Sequence, residues 1–576
     1  MRKVFIFKWL HCLLALLLTL PTLSLAQSSQ AIIRYDSIHH PVIARDGMVV
    51  TQNDIASEVG RDILLAGGNA VDAAVAVGFA LAVTLPRAGN IGGSGFMLIQ
   101  PAGAGSDATV ALDFRSAAPA TATEAEYQDS NGNMLWDDLT FGPRAAAVPG
   151  TVAGLEHAWR EHGSLPWEAL LAPAIALAAD GIRVSDDLAF ALSEALKNMA
   201  DYPSSLEVYA KADGSAYEAG ETLRQPDLAW SLQQISDHGA DAFYRGAIAD
   251  RIADYMASAG GDISKQDLAD YRVREREAIA IDYRDHRVVT MPPSSVGGLA
   301  LLQMLNVLDE FDLASHPQGS AASLHLIAEA MKRGNANRRQ GSIGDSDFFE
   351  VPIEGYLSDQ LAREIAAEID PAIARPVSQI TPIDANPYPS RETTHFSIVD
   401  KEGNAVSTTY TLGYSFGSAL VVPGTGILLD NQMRNFSFRQ PGHANSLEPG
   451  KKVVSTMTPT LVFDEQDELF LVTGTPGGSR IHNIILQLVI NTVDYGMNVA
   501  EATHAPRIYQ AWRQPELGVE QSVNADTLEF LSSMGHEIEV QQTMGSTQSI
   551  MLVDDVLHGS ADPRRPGALV LGVEAN

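Results

Sequence analysis

The chain has 576 residues and a single cysteine, Cys12, which lies within the first 26. A protein that sheds that stretch has no disulfide and no thiol chemistry, so its core alone must hold it together. Basic residues are also scarce: 39 Lys and Arg stand against 71 Asp and Glu, a formal charge of −32. Such a surface repels nucleic acid and anionic lipid, and no basic patch interrupts it; the acidity reads as solubility. Histidine and carboxylate spacings give no His-Glu-x-x-His or similar signature, so no catalytic metal is expected. The run Gly89-Asn90-Ile91-Gly92-Gly93-Ser94-Gly95 lacks a following Gly-Lys-Ser/Thr and leads into an apolar stretch. A phosphate cradle is therefore not expected, no cofactor is implied, and close packing of backbone on a neighbour is the expected role. Beyond the N-terminus no apolar run is long enough to span a bilayer. No internal repeat or low-complexity block appears.

What is present begins with an export signal. Arg2, Lys3 and Lys8 precede an apolar run over residues 10–20, and Ser24-Leu25-Ala26 gives a small-x-small cleavage site before Gln27. Residues 1–26 are read as a signal peptide, a short spanning anchor being the alternative, and the mature protein as periplasmic or secreted. The remaining length exceeds one typical core. Helical spacing over 54–66 ends at Gly67-Gly68, and 70–83 reads as a second helix, buried on several faces. Residues 96–99 and 110–114 read as strands. Amphipathic segments 167–179 and 226–236 read as outer helices, the second opened by Pro226 at a first helical position. Pro292, Pro293, Gly297 and Gly298 mark a turn before a helix over 299–308, and 320–339 reads as a further helix in which His325 is packed.

The most informative stretch is Thr393-Thr394-His395-Phe396-Ser397-Ile398-Val399-Asp400. Phe396, Ile398 and Val399 read as a buried strand, 400–404 as a turn and 405–411 as the return strand. Pro376, Pro382, Pro387 and Pro389 punctuate the polar segment before it, favouring extended backbone up to Glu392. By spacing alone this is a β-hairpin with two threonines at its start.

Longer motifs give it meaning. TTHFSIVDKEGNAVSTTYTLGYSFGS, followed by NQMRNF, STMTPT and TGTPGGSR and preceded by GGNAVDAAVAVGFALAVTLPRAGNIGG, resembles the γ-glutamyltranspeptidase family from about Ile43 to Pro563. The resemblance implies an α+β fold, the four-layer αββα sandwich of N-terminal-nucleophile hydrolases. It implies cleavage between Glu392 and Thr393 into chains 27–392 and 393–576 that stay together as one intertwined heterodimer. An N-terminal threonine carries its own base, because an α-amine with a pKa of about 7.7–8.0 can take the hydroxyl proton.

The same resemblance assigns the site. Thr393 is the nucleophile, Thr411 tunes its hydroxyl, and the backbone N–H groups of Gly477 and Gly478 form an oxyanion hole. Arg115, Ser455 and Thr456 hold the substrate's α-carboxylate, Gln432 the α-amino side. The alternatives are a surface ion pair at Arg115, a tight turn capping a helix over 481–495 at Gly477-Gly478, and ordinary structural hydroxyls elsewhere. Three positions depart from the family pattern. Ser116 replaces a usual glutamate and is expected to loosen the carboxylate clamp; Gly413 stands for the usual asparagine. Asn435 replaces an aspartate that pairs with the substrate ammonium, and Arg434 would repel it if it faced the site. The segment 439–454 is shorter than many lid loops, which implies a more open cleft. The expected activity is γ-glutamyl hydrolysis and transfer from glutathione and related amides to water, amino acids or peptides. An acylase of the same mechanism preferring groups without the α-amine is the alternative, and an uncleaved acyl-peptide-binding relative a second.

Overall fold

Along Ser94–Gln100 the side chains of Phe96 and Leu98 leave one face and those of Met97 and Ile99 the other, and all four are buried. A strand apolar on both faces needs a covering layer on each side. The computed structural model, which describes residues 37–337, 343–380, 392–438 and 442–574, shows those layers. The signal segment, the prolines from Pro382 to Pro389 and the start of the short lid at Arg439 lie outside the described residues.

Two sheets of seven strands form the centre. From edge to edge, one consists of Leu569–Gly572, Gly47–Thr51, Glu392–Asp400, Ala405–Gly413, Ser94–Gln100, Val110–Phe114 and Arg274–Glu277. The other runs Val42–Ala44, Val556–Ala561, Gln548–Val553, Leu469–Thr473, Thr460–Phe463, His286–Thr290 and Ile279–Tyr283. Neighbouring strands within each are antiparallel.

Three apolar clusters bind the layers. Phe96, Leu98, Met48 and Val50 meet Leu461, Val472 and Ile550 between the sheets. Met97, Ile99, Val49, Phe396 and Ile398 face helices Asp54–Leu65 and Ala70–Thr84. Ile281, Val462 and Leu471 face helices Val296–Asp309, Ala321–Asn337 and Ile481–Val493 on the far side. The sequence of layers is helix, sheet, sheet, helix, the αββα sandwich of an α+β protein. Ala70–Thr84 is buried along its whole length. Its small Ala and Val side chains let a helix pack closely all round, and a capping box from Asn69 and Asp72 satisfies its first amides.

One boundary is corrected. The turn expected at Gly297-Gly298 is the first turn of the helix Val296–Asp309, capped by the Ser295 hydroxyl on the Gly298 amide. These glycines are spacers: a Cβ on Gly298 would lie 2.1 Å from the Met291 carbonyl, and one on Gly297 2.4 Å from that of Thr456. No helix among the described residues is long and apolar enough to cross a membrane.

Candidate active site

Thr393 is the second residue of a central strand and is 3 % exposed. The strand's two-residue alternation puts it on the same face as His395, Ser397 and Val399, looking into the space between the sheets. The ladder slips by one residue here, from Glu392 opposite Gly413 to Thr394 opposite Tyr410. Thr393 therefore opposes two residues, Thr411 and Leu412, in a bulge of the kind that re-aims side chains beside active sites. The result places the Thr393 hydroxyl 3.4 Å from that of Thr411, whose oxygen also accepts the Gly413 amide at 2.8 Å. In an uncleaved chain the Thr393 nitrogen is a peptide amide and carries no lone pair for proton transfer.

Below Thr393 the inter-sheet layer turns from hydrocarbon to hydroxyls. His395 bonds Thr409 at 2.8 Å and Ser397 at 3.0 Å, Ser397 donates to the Gln548 carbonyl, and Ser407 donates to that of Thr473. Because the Ser397 proton goes to Gln548, the His395 Nε2 must be the N–H, and Nδ1 accepts from Thr409. Burial lowers the His395 pKa to about 3, so the ring is neutral. These bonds tie the two sheets together directly under the nucleophile, and nothing in the sequence motif distinguishes them from packing.

The register carries the site sideways. Thr411 pairs with Ser94, and the Ser94 hydroxyl accepts from Arg115 Nη1 at 2.7 Å. Arg115 is fully buried, with Nη2 on Gln432 Oε1 at 2.7 Å and Nε on the Val453 carbonyl at 3.3 Å. It is no surface ion pair. Burial pulls its pKa down to about 10 against the opposing pull of Asp430 and Asp113, which leaves it charged at neutral pH. Behind it, burial raises the Asp113 carboxyl but Lys452 and Arg276 overcome that and hold it below its ordinary range.

Around the pocket, Ser116, Arg434 and Gly413 have defined neighbours. The Ser116 hydroxyl is bonded to the buried Asp430 carboxyl group, which also accepts the Ala147 and Gln432 amides. Arg434 is buried, donates to Thr140 at 2.6 Å and lies over the Tyr414 ring, so its charge is committed to those neighbours. Gly413 has φ +96°, and a Cβ there would lie 2.2 Å from Asn431 Oδ1. Asn431 fills the space that a side chain at 413 would need. Asn435 donates to Gln432 Oε1 at 2.8 Å, and Gln432 Nε2 is a buried donor that meets no acceptor among the described residues.

Segment 453–456 connects this pocket to the glycine loop. Its start accepts from Arg115, Ser455 donates its amide to the Ser294 carbonyl, and the Thr456 hydroxyl donates to the Gly478 carbonyl at 2.8 Å. Gly477 and Gly478 follow the strand Leu469–Thr473, at φ +141° and +58°. Gly474 at that strand's end lies against the His395 ring, where a Cβ would come within 2.3 Å. Hydrogen bonds and strand pairing thus connect the predicted residues, and Ser94, Asp430, Asn431 and His395 lie among them. Among the described residues His325, Glu329 and His536 have ligand atoms within 4.8 Å of one another. Glu329 is bonded to Lys332 at 2.6 Å and Arg333 at 2.7 Å, so a cation there would meet two fixed positive charges. His325 is packed, as expected.

Known proteins resemble this chain over nearly its whole length. The family model described as Gamma-glutamyltranspeptidase matches residues 56–572. The glutathione hydrolase proenzyme of Escherichia coli strain K12 is 44% identical over 551 residues, covering 93% of each chain. The acylase ACY 1 proenzyme of Pseudomonas sp. strain SE83 is 35% identical, covering 92% of this chain and 94% of its own. Among solved structures, the cephalosporin acylase from Bacillus halodurans superposes with a TM-score of 0.84 at 31% identity, covering 94% of this chain and 99% of its own. With a family model matched over residues 56–572 and a relative 44% identical over 93% of both chains, the chain belongs to the gamma-glutamyltranspeptidase family.

Proposed function

We propose that this protein is an exported, self-processing γ-glutamyl hydrolase and transferase acting on glutathione and related γ-glutamyl amides. The observation that carries the reading is the unbroken run from Thr393 through Thr411 and Ser94 to the buried, charged Arg115. In this reading the nucleophile and the carboxylate-binding fork lie close together, the first on one of three adjacent strands and the second just after a fourth.

Maturation comes first. The Thr393 hydroxyl attacks the Glu392 carbonyl, the peptide C–N bond breaks as an ester forms, and water hydrolyses that ester. Chains 27–392 and 393–576 result and remain one folded unit, and Thr393 gains a free amine. That amine takes the hydroxyl proton as the oxygen attacks the γ-carbonyl of the substrate. Thr411 holds the hydroxyl in place. The substrate α-carboxylate lies on Arg115 with Ser455 and Thr456 beside it, each charge-assisted bond contributing roughly 1.5–3 kcal/mol. The Gly477 and Gly478 amides stabilise the oxyanion; the amide C–N bond then breaks and the leaving amine takes the proton. Water or an acceptor amine finally attacks the acyl-enzyme and releases the acyl group.

Asn435 supports a second, minor reading. A neutral amide stands where an ammonium would want a carboxylate, and the unpaired Gln432 Nε2 offers a further donor. Acyl groups without the amine, such as glutaryl, should therefore be accepted as well. Rates on γ-glutamyl and glutaryl p-nitroanilide test both. The main reading expects the γ-glutamyl substrate to be faster, with measurable glutaryl turnover; a clear glutaryl preference reverses the ranking.

A further inference from the structure

An oxyanion hole made of two backbone amides works only if both peptide planes are held, because a peptide that rotates carries its N–H away from the oxygen it must meet. Glycines supply the required φ values but resist rotation least. Each plane in question has a carbonyl on its other side. The Gly478 N–H shares its plane with the Gly477 carbonyl, which accepts the Arg480 amide at 3.1 Å. The Gly477 N–H shares its plane with the Pro476 carbonyl. That carbonyl accepts the Thr475 hydroxyl at 2.8 Å.

The Thr475 hydroxyl is itself fixed. It is fully buried, and its oxygen accepts the Ser546 amide at 2.9 Å, which leaves its one proton for Pro476. The donor comes from a rigid neighbour. Gly545 lies against the same loop, its Cα 3.7 Å from a Cβ built on Gly477, and the flanking residues are pinned by buried charge: Arg507 donates to the Met544 carbonyl, Glu520 accepts the Met544 amide at 2.7 Å, and Asp562 accepts the Thr547 amide at 3.0 Å.

We infer that Thr475 is a positioning residue for the reaction: its hydroxyl, oriented by the Ser546 amide, locks the Pro476–Gly477 peptide so that the Gly477 N–H meets the oxyanion. The inference rests on the assignment of Gly477 and Gly478 as that hole. A lock of this kind matters most when charge is on the oxygen, so its loss should lower kcat and leave substrate binding nearly unchanged.

The test uses mature two-chain protein and γ-glutamyl p-nitroanilide. Thr475→Val keeps the shape and removes the hydroxyl; kcat should fall about ten- to a hundredfold with KM within about twofold. Thr475→Ser, which restores the hydroxyl, should return kcat to within about threefold of the parent. If the valine variant fails to fold, Thr475→Ala removes the same hydroxyl without the branched side chain and carries the same expectation. Unchanged kcat in a folded variant lacking the hydroxyl, or loss in Thr475→Ser equal to that in Thr475→Val, overturns the inference. Gly477→Ala separates this from failure of the underlying assignment. If it abolishes turnover while Thr475→Val does not, only the lock is wrong; if both leave kcat unchanged, the hole is elsewhere.

Discussion

At residue 413 the structure explains a departure that the sequence could only register as missing function. Gly413 and Asn435 both read as losses from the ammonium clamp, yet they are not equivalent. Asn435 is an ordinary half-buried amide on Gln432, and changing it to aspartate alters one atom of the side chain. Asn435→Asp should raise the γ-glutamyl over glutaryl preference about ten- to a hundredfold, the effect of one charge-assisted contact of roughly 1.5–3 kcal/mol. Gly413→Asn should do the opposite of repair. Its side chain enters the volume of Asn431 from a positive-φ position, so the variant should unfold at lower urea and lose activity toward both anilides. Equal gains from the two substitutions would contradict this account of the pocket. Arg434 teaches the same lesson: its position beside Asn435 in the chain says nothing of Thr140 and Tyr414, which come from distant segments and hold its charge.

At the scale of elements, strand alternation and glycine spacing were legible and polar anchoring was not. The hairpin expected at 396–411 is the pair Glu392–Asp400 and Ala405–Gly413, and the glycine loop before Phe96 packs tightly, a Cβ on Gly93 reaching to 2.3 Å from the Thr411 carbonyl. Helix Ala321–Asn337, by contrast, buries His325, Glu329, Lys332 and Arg333 with no apolar signature to announce them. They hold the segment leading toward the proposed cleavage site: His325 bonds Asp370, Lys332 bonds Arg375 and Arg333 bonds Glu368 through backbone carbonyls. His325 also meets His536 at 2.8 Å. Burial lowers both pKa values, that of His536 to about 3, so both rings are neutral in the fold and protonated more readily in the unfolded chain. Folded values below the unfolded one mean stability that is complete above about pH 6.5 and lost as pH falls toward 3. Urea midpoints measured from pH 7 to pH 4 should fall steadily. His536→Gln should flatten that slope by up to about 1.4 kcal/mol per pH unit, and an unaltered slope would show that the pair does not titrate on unfolding.

For the whole molecule, the layered core makes a cut chain plausible as a single object. The strand Glu392–Asp400 is flanked by Gly47–Thr51 on one side and by Ala405–Gly413, then Ser94–Gln100, on the other. Segments from before and after residue 392 are thus neighbours in both sheets, and breaking the 392–393 peptide separates only the Glu392–Gly413 pair from its strand. The four-layer order was legible through the family motifs, whereas the hydroxyl-lined seam beneath Thr393 emerged only when the sheets were stacked. The most direct test of the account is N-terminal sequencing and intact mass of the purified mature protein beside Thr393→Ala. Two associated chains, the smaller beginning at Thr393, together with a single inactive chain in the variant, are the expected result. A wild-type protein that turns over γ-glutamyl anilide as one unbroken polypeptide would contradict it.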